Sequence, residues 1–321
     1  MIRAGVLRGG PSSEYHVSLE TGKMVLANLP LRYRPVDILI SRNGAWHENG
    51  LPKTPEKIFR SVDVVFNALH GQFGEDGTVQ ALMDRHHVRY TGSGRVPSAL
   101  AMQKHLARER FAKAGIAVPR TIVVHGNENA EEAARRAVRS LHPPWIVKPA
   151  AAGSSVGLAK IGMPSALANA IATAREHGSI VLVEEYIRGR ELTCGVLEQF
   201  RNERHYALPA VEIVPKNPER LFDFSAKYDG KTREICPAAL DPRTKTAVAA
   251  LAKKAHELLG CRAYSRSDTM LTPAGKLYLL EINTLPGLTG ESLFPKETTA
   301  IGLSFPKLVD HLLQLALLGV S

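Results

Sequence analysis

The pattern of apolar and polar positions divides the N-terminal part of the chain into alternating strands and helices. Short apolar runs are typical of buried strands, and apolar residues spaced three or four positions apart mark one face of a helix. We expect strands at 2–7, 34–40 and 62–68, and helices that begin near Glu14 and cover 76–86. Alternation of this kind predicts a parallel sheet whose substrate-facing turns lie along one edge.

The remainder of the chain mixes helices with strands in a less regular order. A helix is expected from Ser98 to Ala114, and an amphipathic helix that contains Phe305 ends the chain. Further strands are expected at 120–124, 145–148, 157–161, 180–185, 263–271 and 276–282, and further helices near 130–140, 165–176 and 242–259. The chain therefore combines α/β and α+β parts, which we divide into modules at 1–96, 97–182 and 183–321.

Composition and charge are those of an ordinary globular protein. Apolar residues make up 44% of the sequence, and no apolar stretch reaches the roughly 18 residues that a membrane-spanning helix needs. The formal net charge of +10 suits nucleic acid or an anionic substrate, but the Lys and Arg residues are scattered, which argues against a nucleic-acid-binding surface. Three widely spaced cysteines argue against a zinc site or disulfides and fit a reducing cytoplasm.

An acidic constellation lies on the last two predicted strands. Glu281 and Asn283 are two residues apart and so point to the same face of a strand, and a neighbouring strand can bring Asp268 to the same point. Oxygen ligands on rigid strands suit a hard cation such as Mg²⁺, which also binds nucleotide phosphates. Isolated acidic residues are usually exposed, but the apolar residues around this set favour a metal site.

Four further segments could contact a nucleotide or a small substrate. Lys148 opens a run of small residues, glycines and serines (148–157) whose backbone N–H groups could surround phosphate, although a hairpin turn explains it equally well. Segment 183–191 could face adenine or be an ordinary strand. His70, at a strand end beside glycines, fits a substrate-binding turn or a core histidine. Segment 222–230 could be a lid or a surface loop.

The order of these motifs resembles the D-alanine–D-alanine ligase family of the ATP-grasp superfamily, over nearly the whole chain. Each motif is weak alone, but the full set in this order is specific. The motifs are Gly9-Gly10-Pro11-Ser12-Ser13-Glu14-Tyr15-His16-Val17-Ser18, His70-Gly71 through Glu75-Asp76-Gly77, Met102-Gln103-Lys104, Lys148-Pro149 through Gly153-Ser154-Ser155-Val156-Gly157, Glu184 through Glu191, Lys227-Tyr228, Arg266-Ser267-Asp268, and Glu281-Ile282-Asn283-Thr284-Leu285-Pro286-Gly287 with Ser292-Leu293.

The resemblance implies a three-module ATP-grasp architecture, in which an N-terminal parallel-sheet domain precedes two domains that clasp ATP. It implies that ATP, as a substrate, drives the joining of two D-alanine molecules through an acyl phosphate, for peptidoglycan precursor synthesis, with two Mg²⁺ or Mn²⁺ ions. The nucleotide contacts that it implies are Lys104, Lys148, Glu184, Glu185, Tyr186, Ile187, Glu191, Lys227 and Asn283. The metal ligands that it implies are Asp268, Glu281 and Asn283.

The resemblance also assigns residues to the chemical steps. Arg266 and the backbone N–H of Gly287 are expected to stabilise the oxyanion of a tetrahedral intermediate. A hydrogen-bonded set of Glu14, Ser154 and Tyr228 is expected to handle the proton of the incoming amine. The substrate contacts that it implies are Glu14, His70, Ser292 and Leu293, and the loop that carries Lys227 and Tyr228 is expected to act as a lid against water.

The sequence departs from the family pattern at three places, and it leaves other functions open. Residues 150–152 are all alanine, Gln103 stands where an acidic residue is common, and Ser267 and Thr269 replace apolar residues, which is expected to loosen the strand of Asp268. A ligase that uses D-lactate or D-serine, a regulatory nucleotide-binding protein and a basic nucleic-acid-binding module are the alternatives; Tyr228 favours the dipeptide. The resemblance further implies a homodimer in the cytoplasm with small-molecule substrates, and neither nucleic acid nor a membrane as partner.

Overall fold

The computed structural model describes residues 1–151, 157–215 and 232–319, and three sheets organise them. The strands are β1 Ile2–Gly9, β2 Tyr33–Ile40, β3 Trp46–Glu48, β4 Leu51–Pro52, β5 Val64–Asn67, β6 Thr121–His125, β7 Trp145–Pro149, β8 Ala159–Ile161, β9 Ile180–Glu185, β10 Arg190–Phe200, β11 Glu203–Ala207, β12 Val211–Pro215, β13 Thr232–Ile235, β14 Tyr264–Leu271 and β15 Leu277–Asn283. The α-helices are α1 Tyr15–Ala27, α2 Pro55–Phe59, α3 Thr78–Arg85, α4 Arg95–Met102, α5 Lys104–Lys113, α6 Ala130–Ser140, α7 Leu167–Arg175, α8 Pro242–Leu259, α9 Leu293–Ala300 and α10 Phe305–Leu318.

The first sheet has the strand order β4-β3-β2-β1-β5, and β1 runs parallel to both β2 and β5 as the apolar runs predict. Leu7, Ile38 and Val65 lie in a core on one side of this sheet, while Val6 and Phe66 lie in a second core with the terminal helix α10. Burial on both faces explains why these strands are almost continuously apolar. The antiparallel hairpin β3–β4 at the edge has too few apolar residues to be recognised from the sequence.

The second and third sheets are antiparallel, and each is backed by helices. The second has the order β6-β9-β7-β8 and shares a core with α6 and α7. The third has the order β13-β12-β10-β14-β15, with β11 paired to β10, and α8 packs against it. The expected division between residues 182 and 183 falls inside β9, which belongs to the second sheet through all six residues. The change to the third sheet therefore lies between Glu185 and Arg190.

The helix predicted from Ser98 to Ala114 is wrong in one respect, because two helices occupy that segment. α4 ends at Met102, and Gln103 leaves the helical region with φ −86° and ψ 81°. The N–H of Lys104 donates to the carbonyl of Ala150, 3.1 Å away, so α5 begins as a new helix tied to the end of the second sheet. The break directs Lys104 towards the residues that follow β7.

Among the described residues, no single helix is both long and apolar enough to cross a bilayer; α9 and α10 pass that test only as a joined pair, and a bend of 103° separates them. The apolar face of α10 is buried, since Leu308, Leu312 and Leu313 have no exposed surface.

Candidate active site

A cavity of about 980 Å³ lies between the three sheets and is lined by residues of each sheet or of the turns that follow its strands. Every site residue predicted above that falls within the described residues lines this one cavity. These residues are Glu14, His70, Lys104, Lys148, Glu184, Glu185, Tyr186, Ile187, Glu191, Arg266, Asp268, Glu281, Asn283, Gly287, Ser292 and Leu293. Ser154, Lys227 and Tyr228 lie outside the described residues.

The acidic constellation is set by the register of β14 and β15. Asp268 is paired directly with Glu281, and Arg266 is paired with Asn283, so all four residues share one face of the sheet. Thr193 Oγ1 on β10 donates to Asp268 Oδ1 at 2.6 Å. Arg266 donates from Nε to Oδ1 and from Nη2 to Oδ2 of Asp268, both at 2.9 Å. The face therefore presents carboxylate and amide oxygens in fixed positions on paired strands.

Arg266 is held in its charged form. Burial by itself lowers the pKa of this guanidinium, but attraction to Asp268 and the hydrogen bonds between them outweigh burial and raise the pKa. Since the Arg266 side chain is mostly buried and donates two hydrogen bonds to Asp268, its position at the cavity wall is also fixed.

Two lysines from other elements reach carboxylates of the cavity, one on β9 and one on the acidic face itself. Lys148 Nζ on β7 lies 3.3 Å from Glu184 Oε2 on β9, and Lys104 Nζ on α5 lies 3.5 Å from Glu281 Oε2. Burial, with repulsion from Arg108, lowers the pKa of Lys148 to about 8. The two lysines thus bring positive charge to the same cavity as the acidic face, as a polyphosphate substrate requires.

The N-terminal part of the cavity is formed at the carboxyl ends of β1 and β5. His70 Nε2 lies 2.9 Å from Thr21 Oγ1, and its Nδ1 lies 3.3 Å from Glu75 Oε1. Ser12 Oγ donates to the carbonyl of His70 at 2.6 Å and accepts from the N–H of Glu14 at 3.2 Å. The two turns are therefore bonded to each other, and they place Glu14 and His70 together at the predicted edge.

The far wall of the cavity is formed by the turn after β15. Ser292 Oγ accepts from the N–H of Thr289 at 3.1 Å and lies 2.8 Å from Thr289 Oγ1. A Cβ added at Gly287 would come within 2.8 Å of Ser292 Oγ. A side chain at residue 287 would therefore require the Ser292 hydroxyl to move from this wall.

Comparisons with known proteins show to which family the chain belongs. The family model for the D-ala D-ala ligase C-terminus matches residues 111–314, and the model for the N-terminus matches residues 50–93. The chain belongs to the D-alanine–D-alanine ligase family. It is 38% identical to the D-alanine–D-alanine ligase of Cupriavidus necator over 99% of this chain and 93% of that protein, and 39% identical to that of Geobacter sulfurreducens over 97% and 93%.

Solved structures of this ligase family share the fold. The VanG D-Ala:D-Ser ligase from Enterococcus faecalis is 31% identical, with a TM-score of 0.86 over 98% of this chain and 99% of that one. The D-alanine–D-alanine ligase from Coxiella burnetii is 25% identical, with a TM-score of 0.84 over 98% of this chain and 94% of that one. The predicted family and the predicted ATP-grasp fold class, with an N-terminal parallel sheet, are confirmed.

The departures at Ser267 and Thr269 leave the acidic face of this ligase intact. The two residues alternate with Asp268 along β14, so their side chains point to the opposite side of the sheet, where both are buried. Thr269 Oγ1 donates to the carbonyl of Leu192 at 3.1 Å and so adds a bond between strands. The pairing register shifts between Asp268 and Thr269, because Leu280 on β15 has no partner there.

Glu184 and Glu185 line the cavity, and each carboxylate is paired with a cationic side chain. The Glu184 carboxylate is buried between Arg108 and Lys148. Burial alone raises its pKa, but attraction to Arg108 and Lys148 and their hydrogen bonds together outweigh burial and lower the pKa. Arg120 binds Glu185 Oε1 at 3.2 Å. Lys160 Nζ lies 4.1 Å from the ring centre of Tyr186. Glu184 therefore organises the lysine rather than presenting an unpaired carboxylate.

Sequence reasoning missed three residues that support the site. Arg108 lies four residues after Lys104 on α5, a spacing that puts both on one helix face and that could have revealed it. Thr193 and Glu297 gave no such signal, because each meets the site only through tertiary packing. Glu297 is fully buried, and its Oε1 accepts from the N–H of Gly195 at 3.0 Å.

Proposed function

We propose that this chain joins two D-alanine molecules to D-alanyl-D-alanine at the expense of ATP, with an acyl phosphate as intermediate. The observation that carries the proposal is the convergence in one cavity of two lysines, an acidic strand pair and the Glu14–His70 turns. A ligase of this kind must place a nucleotide and two amino acids side by side, and the cavity has residues suited to each. Family membership supports the same reaction.

In the first step, the carboxylate of one D-alanine attacks the γ-phosphorus of ATP, and ADP leaves. Phosphoryl transfer depends mainly on positioning and charge neutralisation. Lys148 and Lys104 supply positive charge from β7 and α5, and their carboxylate partners fix where each Nζ lies. We assign the adenine to segment 184–187 and the ribose to Glu191, all of which line the cavity.

Asp268, Glu281 and Asn283 fit a pair of Mg²⁺ or Mn²⁺ ions. The donor atoms are oxygens on one face of two paired strands, which is the chemistry that hard cations prefer. Such ions neutralise the phosphate oxygens of the nucleotide when bound. In the protein itself, Thr193 and Arg266 hold the Asp268 carboxylate, and Asn283 Oδ1 accepts from the N–H of Leu285 at 2.8 Å, so both side chains are oriented by bonds within the chain.

In the second step, the amine of the second D-alanine attacks the acyl carbon, and phosphate leaves. We assign the oxyanion of the tetrahedral intermediate to Arg266 and the N–H of Gly287, both of which line the cavity. We assign proton transfer from the ammonium to the set Glu14, Ser154 and Tyr228, with the loop of Lys227 and Tyr228 as a lid; of these residues, only Glu14 lies in the described part of the chain.

The two amino acids are assigned to different ends of the cavity. Glu14 and His70 at the N-terminal edge suit the ammonium and the body of the first D-alanine. Ser292, whose hydroxyl bonds to Thr289, and the N-terminal end of α9 at Leu293 suit the carboxylate of the second, since a helix N-terminus favours anions.

Product analysis by mass tests the proposal. ATP is supplied with D-alanine, L-alanine, D-serine or D-lactate, singly and in pairs, and ADP and phosphate are measured in parallel. We expect D-alanyl-D-alanine from D-alanine alone, with one phosphate released per dipeptide. A mixed product in preference to the dipeptide would make the chain a D-serine or D-lactate ligase, and ATP binding without stimulation by D-alanine would make it a regulatory protein.

The homodimer and the cytoplasmic location that we propose rest on the resemblance to the family. Light scattering coupled to size-exclusion chromatography tests the first, and fractionation of the source cells tests the second.

A further inference from the structure

A cluster of one carboxylate and two imidazoles lies on the side of the third sheet away from the catalytic cavity. Glu198 is near the end of β10, His205 is on β11, and His256 is on α8. One ligand atom of each lies within 4.8 Å of those of the other two. None of the three lines the catalytic cavity.

Strand alternation explains why this cluster is separate from the active site. Glu191 and Thr193 on β10 point towards the nucleotide-binding side, whereas Leu192, Cys194 and Val196 share a core with α8. Glu198 is an even number of residues from Leu192, so its side chain points towards α8 as well. The two faces of one strand thus serve two different sites.

The distances within the cluster match a small tetrahedral metal ion. Glu198 Oε1 lies 3.4 Å from His256 Nε2 and 3.6 Å from His205 Nε2. Zinc binds imidazole nitrogen and carboxylate oxygen at about 2.0–2.2 Å, which puts neighbouring tetrahedral ligands roughly 3.3–3.6 Å apart. The two imidazole rings have centroids 5.2 Å apart, and the Nε2 atom of each lies near the same carboxylate oxygen, Glu198 Oε1.

Hydrogen bonds behind the cluster orient its ligand atoms as they do in metal sites. His256 Nδ1 lies 2.7 Å from Ser265 Oγ, so Nε2 is the ring atom directed to Glu198. The N–H of Ala263 donates to Glu198 Oε2 at 2.7 Å, which leaves Oε1 for the two histidines.

We propose that Glu198, His205 and His256 bind a divalent transition-metal ion of the zinc class, at a site distinct from the catalytic magnesium site. Two imidazoles and one carboxylate are a recurring set for zinc and its neighbours in the first transition row, and they suit Mg²⁺ poorly. His205 and Glu198 are 12% and 13% exposed, so the ion and a water molecule can enter from that side. The metal clamps helix α8 to the hairpin β10–β11.

The spacing of the cysteines predicts no zinc site. The site proposed here contains no cysteine, so that prediction does not bear on it. Glu198 and His256 are 58 residues apart in the sequence, and their approach depends on how α8 packs on β10. A motif search detects ligands that are close in sequence, so it has no means of finding this set.

Zinc titration of the full chain in saturating Mg²⁺ tests the proposal, after metal has been removed with a chelator. We expect one Zn²⁺ per chain by calorimetry and metal analysis, a rise in melting temperature, and an absorption band typical of tetrahedral coordination when Co²⁺ is used instead. His205→Ala should abolish tight binding, and Ser265→Ala should weaken it about 10- to 100-fold. Glu198→Gln changes another ligand and keeps the hydrogen bond from Ala263. It replaces His205→Ala in the test if that variant does not fold.

Two controls separate this site from others. The first control, His87→Asn, changes an exposed histidine with a positive φ, a backbone conformation that asparagine tolerates. This variant should bind Zn²⁺ like the unaltered chain. Asp268→Asn alters the catalytic face and should also retain Zn²⁺. The proposal is overturned if no saturable Zn²⁺ binding survives excess Mg²⁺, or if binding is lost in Asp268→Asn and kept in His205→Ala. Ligase activity enters none of these readouts.

Discussion

At the scale of single residues, Asp268 accepts hydrogen bonds from two strands at once. Thr193 donates from β10, and Arg266 donates twice from β14. These bonds fix the direction of the carboxylate, and the direct pairing with Glu281 fixes its distance from the second acidic side chain. The acidic face is therefore organised before substrate arrives, which is how electrostatic stabilisation acts most strongly.

Asp268→Asn removes the charge and keeps the shape of the side chain. If Asp268 binds metal as we propose, the turnover of ATP with D-alanine should fall by about 100-fold or more, because a metal ligand contributes several kcal/mol to transition-state charge stabilisation. Phosphate release at saturating Mg²⁺ measures it. Glu131→Gln, a surface change on α6, is the control. A turnover within about threefold of the unaltered chain would remove Asp268 from the metal site.

Glu297 is a buried carboxyl whose two oxygens differ. Oε1 accepts from Gly195, whereas Oε2 has no hydrogen-bond partner among the described residues. Burial raises the pKa of Glu297 to about 8 from the ordinary value of 4.5, although attraction to Arg266 opposes this. The neutral acid is thus the form that the folded protein prefers.

Glu297→Gln should therefore change how stability depends on pH. A carboxyl whose folded pKa is raised stabilises the protein fully below 4.5 and loses that contribution as pH rises to about 8. Relative to the Gln variant, the unaltered chain should lose up to about 1.4 kcal/mol per pH unit across this window. Urea unfolding of both proteins over the window measures it. A pH-independent difference between the two would mean that Glu297 titrates normally.

At the scale of elements, α5 joins the second and third sheets. Arg108 binds the buried Glu184 carboxylate on β9, and its Nε and Nη2 donate to the carbonyl of Leu280 on β15 at 2.9 and 2.8 Å. That carbonyl belongs to the residue that bulges from the β14–β15 pairing. Lys104, at the start of the same helix, reaches Glu281. One helix therefore positions groups on both sides of the cavity.

Arg108→Met tests this joint. The substitution removes the Arg108 guanidinium and leaves the buried Glu184 carboxylate with Lys148 as its only cationic partner among the described residues. Breaking a buried ion pair in this way costs about 3–5 kcal/mol of unfolding free energy. Denaturant unfolding measures the loss. Lys113→Met, on the same helix in an exposed pair with Glu109, should leave stability nearly unchanged. Equal effects of the two substitutions would show that Arg108 has no special role.

At the scale of the whole molecule, the two ends of the chain share one core. α10 packs on the first sheet, so Leu312 lies among Val64 and Phe66. Arg32 Nε and the Tyr33 hydroxyl donate to Asp310 Oδ1 at 2.7 and 2.9 Å. The first sheet, whose strand ends place Glu14 and His70 at the cavity, is thus completed by α10.

Leu312→Ala should destabilise the entire protein by about 2–5 kcal/mol, because it opens a cavity in this shared core. Leu318→Ala is a matched control at a position that is 71% exposed, and it should change stability by less than about 0.5 kcal/mol. Urea unfolding followed by circular dichroism compares the two. If Leu312→Ala were as mild as the control, α10 would not be part of the folding core.

The sequence by itself determined the features that depend on near neighbours. Alternation in β15 put Glu281 and Asn283 on one face, apolar runs predicted the parallel strands, and helix periodicity predicted the bounds of α8. The order of motifs predicted the family. These features are local or cumulative, and they need no knowledge of how elements pack.

Only the tertiary structure decided how distant residues meet. Arg108 and Glu184 are 76 residues apart, and the break at Gln103 occurs where the N–H of Lys104 donates to the distant carbonyl of Ala150, so neither could be inferred from local pattern. The two faces of β10 contact different sites for the same reason. Alternate side chains of a strand point to opposite faces, and each face meets whichever element packs on it. The physical reason is that periodicity fixes the direction of a side chain, whereas packing fixes its partner.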